Sequence, residues 1–170
     1  MTLLLLACLP VRWEVLGTVE GPAIDLQADL PIQTRTLTLT ADGACFPEGS
    51  EAEHSSYFDG EAMITASLEP GRWDEDLGDA AVMTMLRRND VVLDSKSTAF
   101  ETESDAVIEL YAGDWTESCP DLAECVMAFT VELQLTSGLS AAGGTEAAAV
   151  VRGPPGDDEP VDCSLSLSFE

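Results

Sequence analysis

Hydrophobic and polar residues alternate with a period of two along most of the chain, which is typical of half-buried β-strands. In the segment 125–136 the residues on one side are Cys125, Met127, Phe129, Val131, Leu133 and Leu135. The segment 161–170 repeats the pattern, with Val161, Cys163, Leu165, Leu167 and Phe169 on one side. Because successive side chains of a strand point to opposite faces, the pattern predicts antiparallel strands with one face in solvent.

Shorter segments show the same alternation, and turn-forming residues separate them. The segments are 11–15, 24–30, 36–40, 62–68 and 106–110. The separating pairs are Gly21-Pro22, Asp42-Gly43, Pro70-Gly71, Asn89-Asp90, Gly113-Asp114 and Gly143-Gly144, with Pro154-Pro155-Gly156 near the end. Many short strands at this spacing predict an all-β fold, a single antiparallel β-sandwich that is Ig-like or jelly-roll-like.

One segment, 79–88, fits two structures. As a helix it has Asp79 as the N-cap and two arginines, Arg87 and Arg88, at its C-terminal end. As a strand it alternates and turns through Asn89-Asp90 into the segment 91–95. We favour the hairpin because the rest of the chain is β, and we allow one short helix in the loop before Cys125.

The chain begins with a short apolar run that ends in Leu5-Leu6-Ala7-Cys8. These four residues resemble the lipobox of bacterial lipoproteins, and the resemblance implies a signal peptide and a diacylated Cys8. We therefore expect residues 1–8 to be a signal-peptide remnant and residues 9–170 to form a single β-sandwich domain. The alternative is an apolar N-terminus without a signal function.

The number of cysteines agrees with lipidation of Cys8. The other four residues, Cys45, Cys119, Cys125 and Cys163, are an even set that allows three disulfide pairings. A local Cys119–Cys125 bridge would leave Cys45 with Cys163, and this long loop would stabilise the fold by about 4–5 kcal/mol. Disulfides require an oxidising compartment, so we expect an extracellular, periplasmic or cell-surface protein, including an outer-membrane lipoprotein. The alternative is that these are free, buried cysteines.

The charge of the protein excludes two classes of partner. The chain has 32 acidic and 7 basic residues in 170, a net charge of −25. Such a surface does not displace counterions from nucleic acid and is not attracted to anionic lipids. The single histidine, His54, lies in a polar segment, and no nucleophile-elbow motif occurs. We therefore expect a protein that is not an enzyme, and a hydrolase with paired carboxylates ranks last.

Two groups of residues are candidates for ligand binding. The first is the acidic segment with Asp74, Asp76 and Asp79, whose oxygen ligands suit Ca²⁺. The second is the pair Trp73 and Trp115, each beside a turn, where exposed rings stack on sugars. The simpler interpretations are a solvated acidic loop and two rings at the ends of the core. Apart from this Ca²⁺ candidate, we expect no cofactor.

These observations together predict a non-enzymatic protein of a bacterial-type cell envelope or extracellular assembly. Its role would be structural or partner-binding, with a protein partner or self-assembly and no nucleic acid. A membrane would be reached only through the lipid anchor. A carbohydrate- or Ca²⁺-binding module is the first alternative, and the secreted hydrolase is the second.

Overall fold

The computed structural model describes residues 14–42, 57–70, 80–100, 105–118, 124–152 and 163–170. Within these ranges the chain forms ten β-strands and no helix. The strands are β1 (Glu14–Glu20), β2 (Ile24–Gln27), β3 (Ile32–Asp42), β4 (Tyr57–Pro70), β5 (Ala81–Arg88), β6 (Val91–Ala99), β7 (Ala106–Ser118), β8 (Glu124–Ser137), β9 (Ser140–Arg152) and β10 (Leu165–Phe169). The prediction of an all-β protein is confirmed, whereas residues 1–13, with the expected signal segment, lie outside the described ranges.

The strands form two antiparallel sheets that pack face to face as a β-sandwich. Sheet 1 has the order β1-β9-β4-β7, and β2 continues the β1 edge by pairing with β9. Sheet 2 has the order β10-β3-β8-β5-β6. At one side of the sandwich β1 contacts β10, and at the other side β6 contacts β7. We call this second side, where the edge strands β6 and β7 meet, the open side.

The core lies between the sheets and consists of the apolar residues that alternation places on the inner faces. In β3, Leu37 and Leu39 are fully buried between half-buried threonines. In β8 the inner residues are Cys125, Met127, Phe129, Val131, Leu133 and Leu135, and all are buried. The inner side chains of β10 pack against this core, as the pattern of its sequence predicts.

The hairpin interpretation of 79–88 is confirmed over β5, and the helix alternative is wrong there. β5 and β6 pair antiparallel and are joined by Asn89 and Asp90. These residues have φ of 48° and 65°, which a tight hairpin turn of the primed type requires at both central positions. Asparagine and aspartate tolerate this left-handed region better than other non-glycine residues.

Three predictions of local structure are wrong. The pair Gly113-Asp114 lies inside β7 rather than in a turn. The register shifts there, since Gly60 faces Trp115 while Ala62 faces Ala112, which defines a β-bulge.

The pair Gly143-Gly144 also lies inside a strand, β9. A Cβ atom on Gly143 would overlap the carbonyl oxygen of Ser67 on β4, so this glycine permits two backbones to approach closely. The third error concerns the segment 24–30, whose strand ends at Gln27. Leu30 follows a turn and is 60% exposed, instead of facing the core.

Candidate functional site

The open side of the sandwich carries an unusual run of exposed apolar residues. Val91, Val92 and Leu93 begin β6 and are 60%, 46% and 42% exposed. Three consecutive exposed apolar residues break the alternation and have no role in the core. Leu93 is also an extra residue in the ladder, because Leu86 faces Asp94 whereas Arg87 faces Val92. Val91 and Val92 lie on opposite faces of sheet 2, because they pair with the successive residues Arg88 and Arg87.

Two further exposed apolar residues lie on the outer face of sheet 1, because their neighbours along each strand are buried. Tyr111 of β7 is 46% exposed, and its register partner on β4, Met63, is 41% exposed. We define the docking surface as Val91, Val92 and Leu93, the exposed apolar run that begins the edge strand β6. Single exposed apolar residues are normal on proteins, but three consecutive ones on an edge strand are typical of an interaction site.

Asp94 joins the two edge strands at this surface. Its Oδ2 accepts a hydrogen bond from the backbone N–H of Tyr111 on β7 at 3.0 Å. Its Oδ1 accepts a hydrogen bond from the backbone N–H of Ser95 on β6 at 2.8 Å. The Nζ of Lys96 lies 3.8 Å from the same Oδ1. One carboxylate therefore occupies a backbone donor on each edge strand and holds the two sheets together at the open side.

The charge near this surface differs from that of the rest of the protein. Residues 80–100, which include the β5–β6 hairpin, contain Arg87, Arg88 and Lys96 against Asp90 and Asp94, a net charge of +1. The rest of the chain therefore carries −26. The hairpin itself therefore adds no net repulsion toward an acidic partner.

The two arginines of the hairpin are partly covered. The guanidinium carbon of Arg88 lies 5.8 Å from the ring centroid of the buried Phe129, a cation–π contact at the end of the core. The Nε of Arg87 is buried without a hydrogen-bond partner in the described part of the chain. The Nζ of Lys96, by contrast, is on a side chain that is 52% exposed. Lys96 is therefore the basic residue of the hairpin that is best placed to meet a partner.

A second concave feature lies on the outer face of sheet 1. A shallow depression of about 530 Å³ is lined by Thr18, Glu20, Met63, Thr65, Glu146 and Ala148, among others. Glu20 and Glu146 are register partners on neighbouring strands, and like charges in this relation are unfavourable. No group of three or more potential metal ligands occurs in the residues that the structure describes. The depression therefore supplies negative charge but no defined chemistry.

The same face has one well-built ion-pair cluster. The Nε of Arg152 lies 2.8 Å from Glu14, and its NH1 lies 2.5 Å from Glu61. These hydrogen bonds, chiefly the one with Glu61, raise the pKa of Arg152 above its already high ordinary value. The cluster ties together β1, β9 and β4, and its role is structural.

Most of the residues singled out in the sequence lie outside the described ranges. These are Cys8, Cys45, Cys119, Trp73, Asp74, Asp76 and Asp79, together with His54. Trp115 lies in β7 opposite Gly60, but its side chain is not in the described part. The Ca²⁺ and carbohydrate hypotheses therefore stay predictions.

The cysteines within the described ranges are Cys125, which is buried, and Cys163, which packs against the core. Both are disulfide-bonded. Their predicted partners, Cys119 and Cys45, lie outside the described ranges, so the pairing stays a prediction. Pairing of β10 with β3, with Leu165 opposite Ala41, does place Cys163 near the end of β3, as a bridge to Cys45 requires.

Comparison with known proteins identifies no family. The chain matches no protein-family model, and no curated protein matches its sequence. No helix long and apolar enough to cross a membrane occurs in the described ranges.

Several solved structures share limited similarity with the chain. Dimeric latent PorU from Porphyromonas gingivalis is 13% identical with a TM-score of 0.41, over 86% of this chain and 13% of that chain. Broad bean stain virus is 9% identical with a TM-score of 0.32, over 93% and 91% of the two chains. Infectious bursal disease virus, Gx strain, is 7% identical with a TM-score of 0.29, over 95% and 35%. The chain thus spans a small part of the PorU chain, and these similarities assign no function.

Proposed function

We propose that this protein is an exported, non-enzymatic β-sandwich that acts by binding another protein chain through the docking surface. The observation that carries the proposal is the run of three exposed apolar residues, Val91 to Leu93, on an edge strand. Burying apolar surface contributes about 25 cal/mol per Å², so a partner that covers these side chains gains affinity from each. The surface also has a polar rim, provided by Asp94 and Lys96.

The proposal includes the compartment expected from the sequence. We propose that the four cysteines other than Cys8 form two disulfides in an oxidising compartment, outside the cytoplasm. The lipobox-like residues before Cys8 support attachment to a membrane through lipid rather than through a spanning segment. A surface-anchored sandwich with an exposed docking surface suits a structural or adaptor role in an envelope assembly.

Site-specific photo-crosslinking in the cells that produce the protein tests the docking surface. A photoreactive phenylalanine analogue at position 92 is compared with the same analogue at position 126. Val126 is the matched control for Val92. The two valines are similarly exposed, at 53% and 46%, but Val126 lies on the central strand of sheet 2 and Val92 on its edge.

We expect a discrete protein adduct at position 92 and none at position 126, with the partner read from the mass of its peptides. Equal adducts at the two positions, or none at position 92, would refute the docking surface.

A further inference from the structure

We propose that the partner on the docking surface is a second copy of this chain, paired through β6 of both copies. The two β6 strands would run antiparallel about a two-fold axis at Ser95 and join the two copies of sheet 2 into one sheet. This inference rests on the proposed function, since it names the occupant of the docking surface. It is carried by the sequence of β6 and by the charge of the hairpin.

The sequence of β6 is complementary to itself in this register. With Ser95 opposite its symmetry mate, Asp94 of each copy faces Lys96 of the other. Both side chains project to the same face of sheet 2, because they are the register partners of Leu86 and Thr84, two buried residues of β5. Opposite charges directly across an antiparallel pair are favourable. The bulky Leu93 faces the small Ser97, so the register also avoids crowding.

An edge lysine and a bulge usually protect a strand from pairing with other chains. Here the lysine faces a carboxylate of the second copy, so it favours one register instead of blocking all of them. The bulge at Leu93 ends the ladder after five residues, Leu93 to Ser97. A finite ladder around a two-fold axis gives a closed dimer and not a growing fibre.

One backbone donor for this pairing, the N–H of Ser95, is bonded within β6 rather than to β5. The N–H of Ser95 donates to the Asp94 carboxylate in the same chain. In the dimer this N–H would donate to the carbonyl of Ser95 in the second copy. Oδ1 of Asp94 would then face Lys96 of that copy, while Oδ2 keeps its bond to the N–H of Tyr111. In the monomer the Ser95–Asp94 bond therefore occupies this edge donor, and on association a bond to the second copy replaces it.

Charge also selects this contact. Two copies with −25 each repel one another over distances up to about a Debye length, about 30 Å at 0.01 M salt and about 8 Å at 0.15 M. Residues 80–100, at +1, form a segment through which two copies approach with little local repulsion. Association should therefore strengthen as salt screens the acidic bodies, although the two surface ion pairs themselves weaken.

Sedimentation equilibrium of the folded, oxidised protein tests the dimer at up to about 1 mM protein, where weak pairing is still detected. We expect monomer and dimer, with more dimer at about 150 mM than at about 10 mM NaCl. Lys96→Asp places two like-charge pairs in the ladder and should weaken association about tenfold. The charge swap Asp94→Lys with Lys96→Asp restores both opposite-charge pairs and should return affinity to within about threefold of the original.

A matched control separates local pairing from total charge. Ser166→Asp with Ser168→Asp on β10 adds the same charge as Lys96→Asp, at the opposite edge of sheet 2, and should change affinity little. Amide hydrogen exchange of the unsubstituted protein gives a test without variants, since β6 amides should become more protected as concentration rises.

The outcomes separate this inference from the proposed function. A monomer at every concentration and salt level, or a Lys96→Asp variant that associates as the original does, would overturn the dimer. If the crosslink at position 92 then joins a different protein, the docking surface stands and its occupant is not a second copy. If no adduct forms and the protein is monomeric, both proposals fail.

Discussion

Replacing Gly143 by alanine tests the close approach of β9 to β4. Gly143 lies in β9 between Ile24 of β2 and Leu68 of β4. A Cβ at this position would overlap the carbonyl oxygen of Ser67 and lie 3.0 Å from the Cα of Leu68. The obstructing atoms are backbone, so no side chain can rotate to make room. One of the two strands must move, and its ladder hydrogen bonds must distort.

The neighbouring glycine supplies the control. A Cβ on Gly144 would have nothing within 4 Å, and this residue is exposed. Overpacking costs about 1–3 kcal/mol, and a disturbed hydrogen bond adds about 0.5–1.5 kcal/mol. Gly143→Ala should therefore lower the free energy of unfolding by about 2–4 kcal/mol. Gly144→Ala should raise it by about 0.4–1 kcal/mol, because alanine restricts the unfolded chain.

Equilibrium urea unfolding of both variants, monitored by circular dichroism, measures these changes. Both substitutions are glycine to alanine at adjacent positions. The difference between their free energies of unfolding therefore reports on the surroundings of each Cβ. A turn at Gly143-Gly144 would make the two variants respond alike. Equal midpoints would therefore refute the placement of these residues inside β9.

Further expectations concern a turn, an ion-pair cluster and a disulfide. Asp90→Gly should stabilise the protein by about 0.5–1 kcal/mol in the same assay, because glycine accepts the φ of 65° without strain; a loss of stability would contradict the turn. Arg152→Met should cost about 1–2 kcal/mol by removing two charge-assisted hydrogen bonds. Because folding raises the pKa of Arg152, its stabilisation is complete below the pKa of unfolded arginine and is lost only above it. The cost should therefore be equal at pH 7 and pH 10, and a smaller cost at pH 10 would contradict this sign. Cys163→Ser should cost about 4–5 kcal/mol if Cys163 closes the long loop, and peptide mapping without reduction should join Cys163 to Cys45; a different linked peptide would exclude that pairing.

Most strands and their inner faces were predictable from sequence because alternation is a local property, whereas β9 was not among the predicted segments. Their alternation with threonines predicts that Leu37 and Leu39 face the core, and both are fully buried. The hairpin at Asn89 was predictable for the same reason, since its turn residues stand between two alternating segments. Glycine pairs are different. The pair Gly143-Gly144 is compatible both with a turn and with a strand that closely approaches another backbone. Which of the two forms depends on β4, which is distant in sequence.

The docking surface was not predictable because it depends on which strands are edges. A sequence signal existed in Val91 to Leu93, where three apolar residues interrupt the alternation. The same run also fits a strand buried on both faces. Only the order of sheet 2, with β6 last, makes these side chains exposed. The role of Asp94 likewise requires β7 to lie beside β6, a relation that no local pattern contains.

The strand pairing has a consequence for the order of events during synthesis. Within the described residues, β1 and β2 pair with β9, and β3 pairs with β8 and β10. The first three strands thus leave the ribosome before any of their ladder partners exists. At about 5–20 residues per second, the roughly 100 residues from Asp42 to Ser140 take roughly 5–20 s to appear. Strands β1 and β2 wait without their ladder partners over this interval, and β3 waits until β8 is made, so the sandwich closes only after its carboxyl-terminal strands arrive.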